Sequence, residues 1–126
     1  VTDILANKTI LVVDDTDDVR ELLRMQLMWL GYQVLEARNG QEAVEIVSKE
    51  PPELILMDLT MPILGGIEAT RLIRETVGNW AVVIVAFTAL PSAASRQMAL
   101  AAGCNEYVQK PLEVHKLSSL LARYLM

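Results

Sequence analysis

One cysteine and one histidine occur in the whole chain, and their scarcity removes whole classes of chemistry. Cys104 alone cannot form an internal disulfide, and no pair or cluster of ligands suggests a zinc site. Basic residues are also in deficit, 11 Lys and Arg against 16 Asp and Glu. The formal net charge of −5 argues against a nucleic-acid-binding surface. No apolar run approaches the length of a bilayer span, so no membrane insertion is expected. The start, Val1-Thr2-Asp3-Ile4-Leu5, lacks the basic residues and long apolar stretch of a secretion signal, which makes the cytoplasm the expected setting. There is no linker, internal repeat or low-complexity segment.

What is present is enough apolar material for one core. The 126 residues are 52% hydrophobic and 21% charged, ordinary for a single globular domain. Residues 1–8 read as a lead-in and 9–126 as the domain. The run Leu54-Ile55-Leu56-Met57-Asp58 has no polar alternation, which predicts a parallel strand buried on both faces; Pro62 then bars further pairing. Similar strands are expected at 9–13, 33–36, 81–87 (ending at Thr88) and 106–109. Between them lie helical patterns. The first is capped by Asp15 or Thr16, has a core face of Val19, Leu22, Leu23, Leu27 and Leu30, and stops at Gly31. The second is introduced by Asn39 and Glu42 and runs to about Lys49. Gly65-Gly66 opens the third, with Ala69, Leu72 and Ile73 inward, and Gly78-Asn79 breaks it. Pro91 and Ser92 open an alanine-rich fourth helix that ends at Gly103. The last runs over about 112–125, with Val114, Leu117, Leu121 and Tyr124 inward. Five strands alternating with five helices imply right-handed crossovers and a doubly wound α/β sandwich.

In such a sheet all strands point the same way, so the residues at their carboxyl ends share one crevice. Those residues are Asp14 and Asp15, Asp58, Thr88 and Lys110. Three neighbouring carboxylates repel each other unless a cation intervenes, and oxygen-only ligands suit Mg²⁺. A lysine and a threonine hydroxyl suit the oxygens of a bound phosphoryl group. Asp58 is the central carboxylate and the natural nucleophile. The chemistry indicated is metal-assisted acceptance of a phosphoryl group.

The pieces Leu11-Val12-Val13-Asp14-Asp15, Leu56-Met57-Asp58-Leu59-Thr60-Met61-Pro62, Thr88-Ala89 and Tyr107-Val108-Gln109-Lys110-Pro111, in this order and spacing, resemble the receiver domain of two-component response regulators. The resemblance spans essentially the whole chain. It implies a CheY-like, flavodoxin-like (βα)5 fold with strand order 2-1-3-4-5. It also implies that Asp58 accepts a phosphoryl group from a phosphohistidine on a sensor histidine kinase or a histidine phosphotransfer domain. Asp15 would bind Mg²⁺ (with Mn²⁺ as a substitute) directly, Asp14 largely through water, and Thr60 through its backbone carbonyl. Thr88, Ala89 and Lys110 would hold the phosphoryl oxygens, and the Lys110–Pro111 bond would be cis. Thr88 would turn onto the phosphoryl group and Tyr107 would follow it inward. The output surface would be the fourth helix, fifth strand and fifth helix. The domain would be a signalling acceptor and not an enzyme in its own right.

Gly65 departs from the family pattern, which often has Asp there, and should loosen the loop. Leu90, two residues past Thr88, flanks the route of an attacking water with Thr60. Being apolar, it predicts slow loss of the phosphoryl group, which Leu90→Glu or Leu90→Asn should speed; an unchanged lifetime would reject the idea. The first helix carries a second apolar row, Met25, Met28 and Trp29. That row reads either as side-chain ends tucked under neighbouring loops or as a docking patch for partner helices, with a homodimer left open. His115 is expected on the surface and Cys104 as a small packed side chain. Two rivals stand beside this reading. A haloacid-dehalogenase-like phosphatase also uses a strand-end Asp nucleophile, but on the first strand, with a second acid two positions on where Thr60 stands here. The other rival is a receiver-like interaction module that has lost phosphorylation.

Overall fold

The computed structural model describes residues 8–126. Most of the expected lead-in, residues 1–7, therefore lies outside the described residues. Strands β1 (Thr9–Val13), β2 (Gln33–Ala37), β3 (Leu54–Asp58), β4 (Val83–Thr88) and β5 (Glu106–Gln109) alternate with helices. The helices, in chain order, are α1 (Asp17–Trp29), α2 (Gly40–Lys49), α3 (Gly66–Glu75), α4 (Ala93–Ala102) and α5 (Val114–Leu125). The five strands form one parallel sheet in the order β2-β1-β3-β4-β5, the order that the resemblance implies.

The strand period of two divides the core between the two faces of this sheet. Ile10, Val12, Leu54, Leu56, Val85 and Phe87 point to one face and meet Leu23 and Leu27 of α1 and Leu117, Leu120 and Leu121 of α5. Leu11, Val13, Ile55, Met57, Ile84 and Ala86 point to the other and meet Ala43 and Val47 of α2, Ala69 and Ile73 of α3 and Ala99 of α4. β3 is buried at all five positions, as its unbroken apolar run requires.

The helix ends follow local chemistry. Asn39 accepts a hydrogen bond from the Glu42 N–H at 2.9 Å, while the Glu42 carboxylate takes the Arg38 N–H instead of returning to Asn39. Ser92 caps α4 in the same way through the Ser95 N–H. Thr16 is the residue that caps α1, although its side chain makes no capping bond. Gly31 and Gly103 stop α1 and α4 with φ of 103° and 118°, a region that favours glycine.

Several expectations need correction. Leu22 does not belong to the core face of α1: it is 56% exposed, while Leu23 and Leu27 are buried and Val19 and Leu30 pack half-buried against them. β4 starts at Val83, two residues later than its apolar run suggests, since Asn79 Oδ1 captures the N–H groups of Ala81 and Val82. α3 ends at Glu75, short of the glycine at 78, and α5 begins at Val114, just beyond the cis Lys110–Pro111 bond. Leu120 belongs to the inner row of α5, while Val114 and Tyr124 are half-buried. Met25, Met28 and Trp29 are 57%, 54% and 79% exposed, which rules out the tucked-under reading of that row.

Candidate functional site

β1 and β3 are neighbours in register, Val12 opposite Leu56 and Val13 opposite Met57. The next step along both strands sets Asp14 beside Asp58. Each continues an even-numbered row, so both lean toward the side of the sheet covered by α1 and α5. β5 pairs Gln109 with Thr88, and Lys110 follows immediately. Its ammonium lies 4.7 Å from the Phe87 ring centre, on that same side. The Lys110 ammonium donates to Asp14 Oδ2 at 2.7 Å and pairs with Asp58 Oδ1 at 3.3 Å.

Asp14 is wholly buried, and both of its oxygens are engaged: Oδ1 takes the Thr16 N–H at 2.8 Å and Oδ2 takes Lys110. Its backbone carbonyl accepts from Arg20 Nη1 at 2.8 Å, which ties the β1 end to the first turns of α1. Asp15 is exposed at the rim. Asp58 is 4% exposed. Its Oδ1 accepts weakly from the Thr60 N–H at 3.4 Å, and among the described residues no hydrogen bond goes to its Oδ2. Asp58 is thus half tethered, through one oxygen.

The electrostatics favour a bound cation. Burial pushes the Asp58 carboxyl above the ordinary aspartate value of 3.8, and the Asp14 charge adds to the rise; Lys110 and the Thr60 N–H pull against it. Burial alone would lower the Lys110 pKa. Its hydrogen bond to Asp14 and the charges of Asp58 and Asp14 outweigh that and raise it. Three carboxylates and one ammonium leave two negative charges in excess. Asp14, Asp15 and Asp58 each offer an oxygen within 4.8 Å of the others, a donor set of hard oxygens that fits Mg²⁺. Thr60 is exposed beside them, with its carbonyl in the same loop.

Above these groups opens a cleft of about 270 Å³ lined by Asp15, Thr16, Asp58, Thr60, Thr88, Ala89, Leu90 and Lys110. Every expected strand-end residue except the wholly buried Asp14 lines it. Thr88 is 6% exposed, and its hydroxyl accepts the Leu90 N–H at 3.2 Å. Leu90 is 86% exposed on the rim. Tyr107 pairs with Ala86, two register positions before Thr88; its phenol oxygen accepts the Ser92 N–H at 3.1 Å and meets the Ser95 hydroxyl. His115 is 74% exposed, paired with Glu113 at 3.4 Å and away from the cleft, and Cys104 is buried against Thr70.

Three contributors were not anticipated from sequence. Thr16 lines the cleft and anchors Asp14. Arg20 holds the Asp14 backbone and pairs with Asp17 and Glu36. Gly66 brings the start of α3 so close that a Cβ there would sit 2.1 Å from the Asp58 carbonyl oxygen. The double glycine was a visible signal for the last; the first two look like ordinary helix-start residues.

Comparison with known proteins matches this picture. A family model described as response regulator receiver domain matches residues 10–122. The response regulator MprA of Mycolicibacterium vanbaalenii is 39% identical over 114 residues, 90% of this chain; the chain spans about half, 47%, of that relative. A similar solved structure is the co-crystal of the Saccharomyces cerevisiae histidine phosphotransfer protein Ypd1 with the receiver domain of Ssk1. The match has 34% identity and a TM-score of 0.88, and covers 96% of this chain and 90% of that one. The receiver domain of the sensor histidine kinase PA1611 of Pseudomonas aeruginosa, with magnesium in its active-site cleft, matches at 34% identity and a TM-score of 0.85. It covers 95% of this chain and 98% of that one.

Proposed function

The chain belongs to the response regulator receiver domains, the signal-accepting modules of two-component phosphorelays, and from that premise we propose that Asp58 is its phosphoacceptor. The carrying observation is the buried Asp58, with Lys110 on one oxygen, the other oxygen free and two further carboxylates within metal-ligand reach. The free oxygen attacks the phosphorus of a phosphohistidine. The P–O bond forms as the P–N bond breaks, and the donor imidazole keeps the electron pair. Lys110 balances charge on the transferred oxygens, and Thr88 and the Ala89 backbone contact them from the opposite wall. Mg²⁺, with Mn²⁺ as a substitute, would be held by Asp15, Asp58, the Thr60 carbonyl and, through water, Asp14; it supplies charge neutralisation between acceptor and phosphoryl group. Turnover of free substrates is not part of this reading. The acceptor set sits on the first and third strands, unlike that of a haloacid-dehalogenase-like phosphatase, and its completeness speaks against a module without phosphorylation.

The donor on this reading is a histidine kinase or a histidine phosphotransfer protein, working in the cytoplasm. Its docking surface is the exposed side of α1, where Leu22 borders an apolar cleft of about 110 Å³ with Val19, Leu23, Phe87, Pro111 and Leu112. Met25, Met28 and Trp29 extend it down the helix. Flexible thioethers and one large ring suit the apolar faces of partner helices.

Acetyl phosphate with Mg²⁺ tests the acceptor: one acid-labile phosphoryl group per chain is expected, lost in Asp58→Asn. Turnover of a phosphate monoester would favour the phosphatase, and no uptake would favour the silent module. Trp29→Ala with Met25→Ala should slow transfer from a phosphohistidine donor while leaving acetyl phosphate uptake unchanged; unchanged transfer and self-association would remove the docking role.

A further inference from the structure

Two hydroxyls fasten the loop between β4 and α4, one at each end. The Thr88 hydroxyl holds the Leu90 N–H, and the Tyr107 phenol holds the Ser92 N–H. The second attachment is part of a closed ring. With Ser95 Oγ donating to the Ser92 carbonyl at 3.3 Å, the Tyr107 O–H is the donor to Ser95 Oγ. The order is then Ser92 N–H to Tyr107 oxygen, Tyr107 O–H to Ser95 Oγ, and Ser95 O–H back to the Ser92 carbonyl. Ser95 N–H completes the set on Ser92 Oγ at 3.1 Å.

We infer that Ser95 is a positioning residue for signal transmission: its hydroxyl latches Tyr107 to the first turn of α4 and holds the domain in its unphosphorylated arrangement. The inference rests on Asp58 being the acceptor. A phosphoryl group there fills the cleft that Thr88 lines, and the Thr88 hydroxyl is the side-chain donor on that wall. Its turn toward the phosphoryl oxygens frees the Leu90 N–H, and among the described residues the side-chain hold that remains on the loop is Tyr107. α4 resists little, because Ala99 and Ala102 are its only buried residues. The Ser95–Tyr107 bond, beside the Ser92 N–H that the same phenol holds, is therefore a barrier between acceptor chemistry and movement of α4. Such a latch lowers apparent affinity for phosphoryl ligands by keeping the competent state scarce.

The test uses the 126-residue chain with Mg²⁺ and beryllofluoride, a phosphoryl mimic, followed through the amide signals of Leu90 and Ser92. Ser95→Ala should lower the half-saturating concentration about fivefold, the equivalent of one neutral hydrogen bond. Ser95→Thr, which keeps the hydroxyl, should restore the wild-type value. In a Tyr107→Phe background the alanine substitution should add nothing, because the latch is already open. Equal half-saturation for Ser95→Ala and wild type, or additive effects of the two substitutions, overturns the latch while leaving the acceptor intact. Absence of beryllofluoride binding by the wild type overturns the acceptor reading and the latch with it.

Discussion

Lys110→Met removes the single ammonium from a buried cluster of carboxylates while keeping an apolar stem against Phe87. Asp14 has no exposure and loses its partner at 2.7 Å, and Asp58 loses its partner at 3.3 Å. With an effective dielectric constant of about 20, those two attractions amount to roughly 6 and 5 kcal/mol before desolvation. Most of that is offset, because the lysine and both carboxylates gave up water to reach these positions. Breaking a buried pair by deleting one partner costs about 3–5 kcal/mol net. The Lys110 side chain keeps 19% exposure, which places this case near about 3 kcal/mol. The excess negative charge rises from two to three, so Mg²⁺ should bind the variant roughly tenfold more tightly and return about 1 kcal/mol more stability than in wild type. Urea unfolding at neutral pH, with chelator and then with saturating Mg²⁺, reads both quantities. A variant within about 0.5 kcal/mol of wild type in chelator, or an equal Mg²⁺ gain in both proteins, would refute the charge balance described here.

Gly66→Ala places a Cβ 2.1 Å from the Asp58 carbonyl oxygen and 3.0 Å from the Leu59 Cα, so the start of α3 must retreat. A loss of about 2 kcal/mol in urea unfolding is expected, with slower phosphoryl uptake; unchanged values of both would refute the close approach. Ile63 has φ of 70° in a tight turn closed by the Leu64 N–H on the Pro62 carbonyl, and it is 82% exposed. Ile63→Asn should therefore raise stability by about 1 kcal/mol, and no gain would contradict the strain. Asp58→Asn should stabilise the metal-free protein at neutral pH. The folded-state pKa of Asp58 lies above 3.8, so the wild type has no penalty below that pH and acquires one as pH rises through the folded value. The advantage of the variant must shrink on acidification; one that grows would reverse the assignment.

How much of this was legible in the sequence depends on what each residue touches. The strand-end cluster was readable because strand ends in a parallel sheet converge whatever the details of packing, so Asp14, Asp58, Thr88 and Lys110 could be grouped from order alone. The division of the core between the two sheet faces was not read there, because runs apolar at every position carry no alternation to mark which residue faces which helices. Helix faces were readable in part: Leu22 fits the spacing of the α1 stripe but falls just outside the contact with the sheet. Arg74 shows the limit most clearly. It looks like a solvated helix residue, yet it is 2% exposed, and its five N–H groups go to the carbonyls of Gly103, Asn79 and Val82 and to Asn105 Oδ1. Most of those acceptors are backbone atoms, which carry no side-chain signature. The Tyr107 ring with Ser92 and Ser95 was hidden for a similar reason, because it depends on where α4 begins relative to β5.

The most direct test of the central claim is chemical. The chain is phosphorylated with a phosphohistidine donor and Mg²⁺, the acyl phosphate is trapped by borohydride reduction, and the site is mapped by peptide mass spectrometry. Reduction confined to position 58, and abolished by chelator, is the result predicted from the geometry of Asp58, Asp14, Asp15 and Lys110. Trapping at another carboxylate, or full modification without a divalent ion, would contradict it.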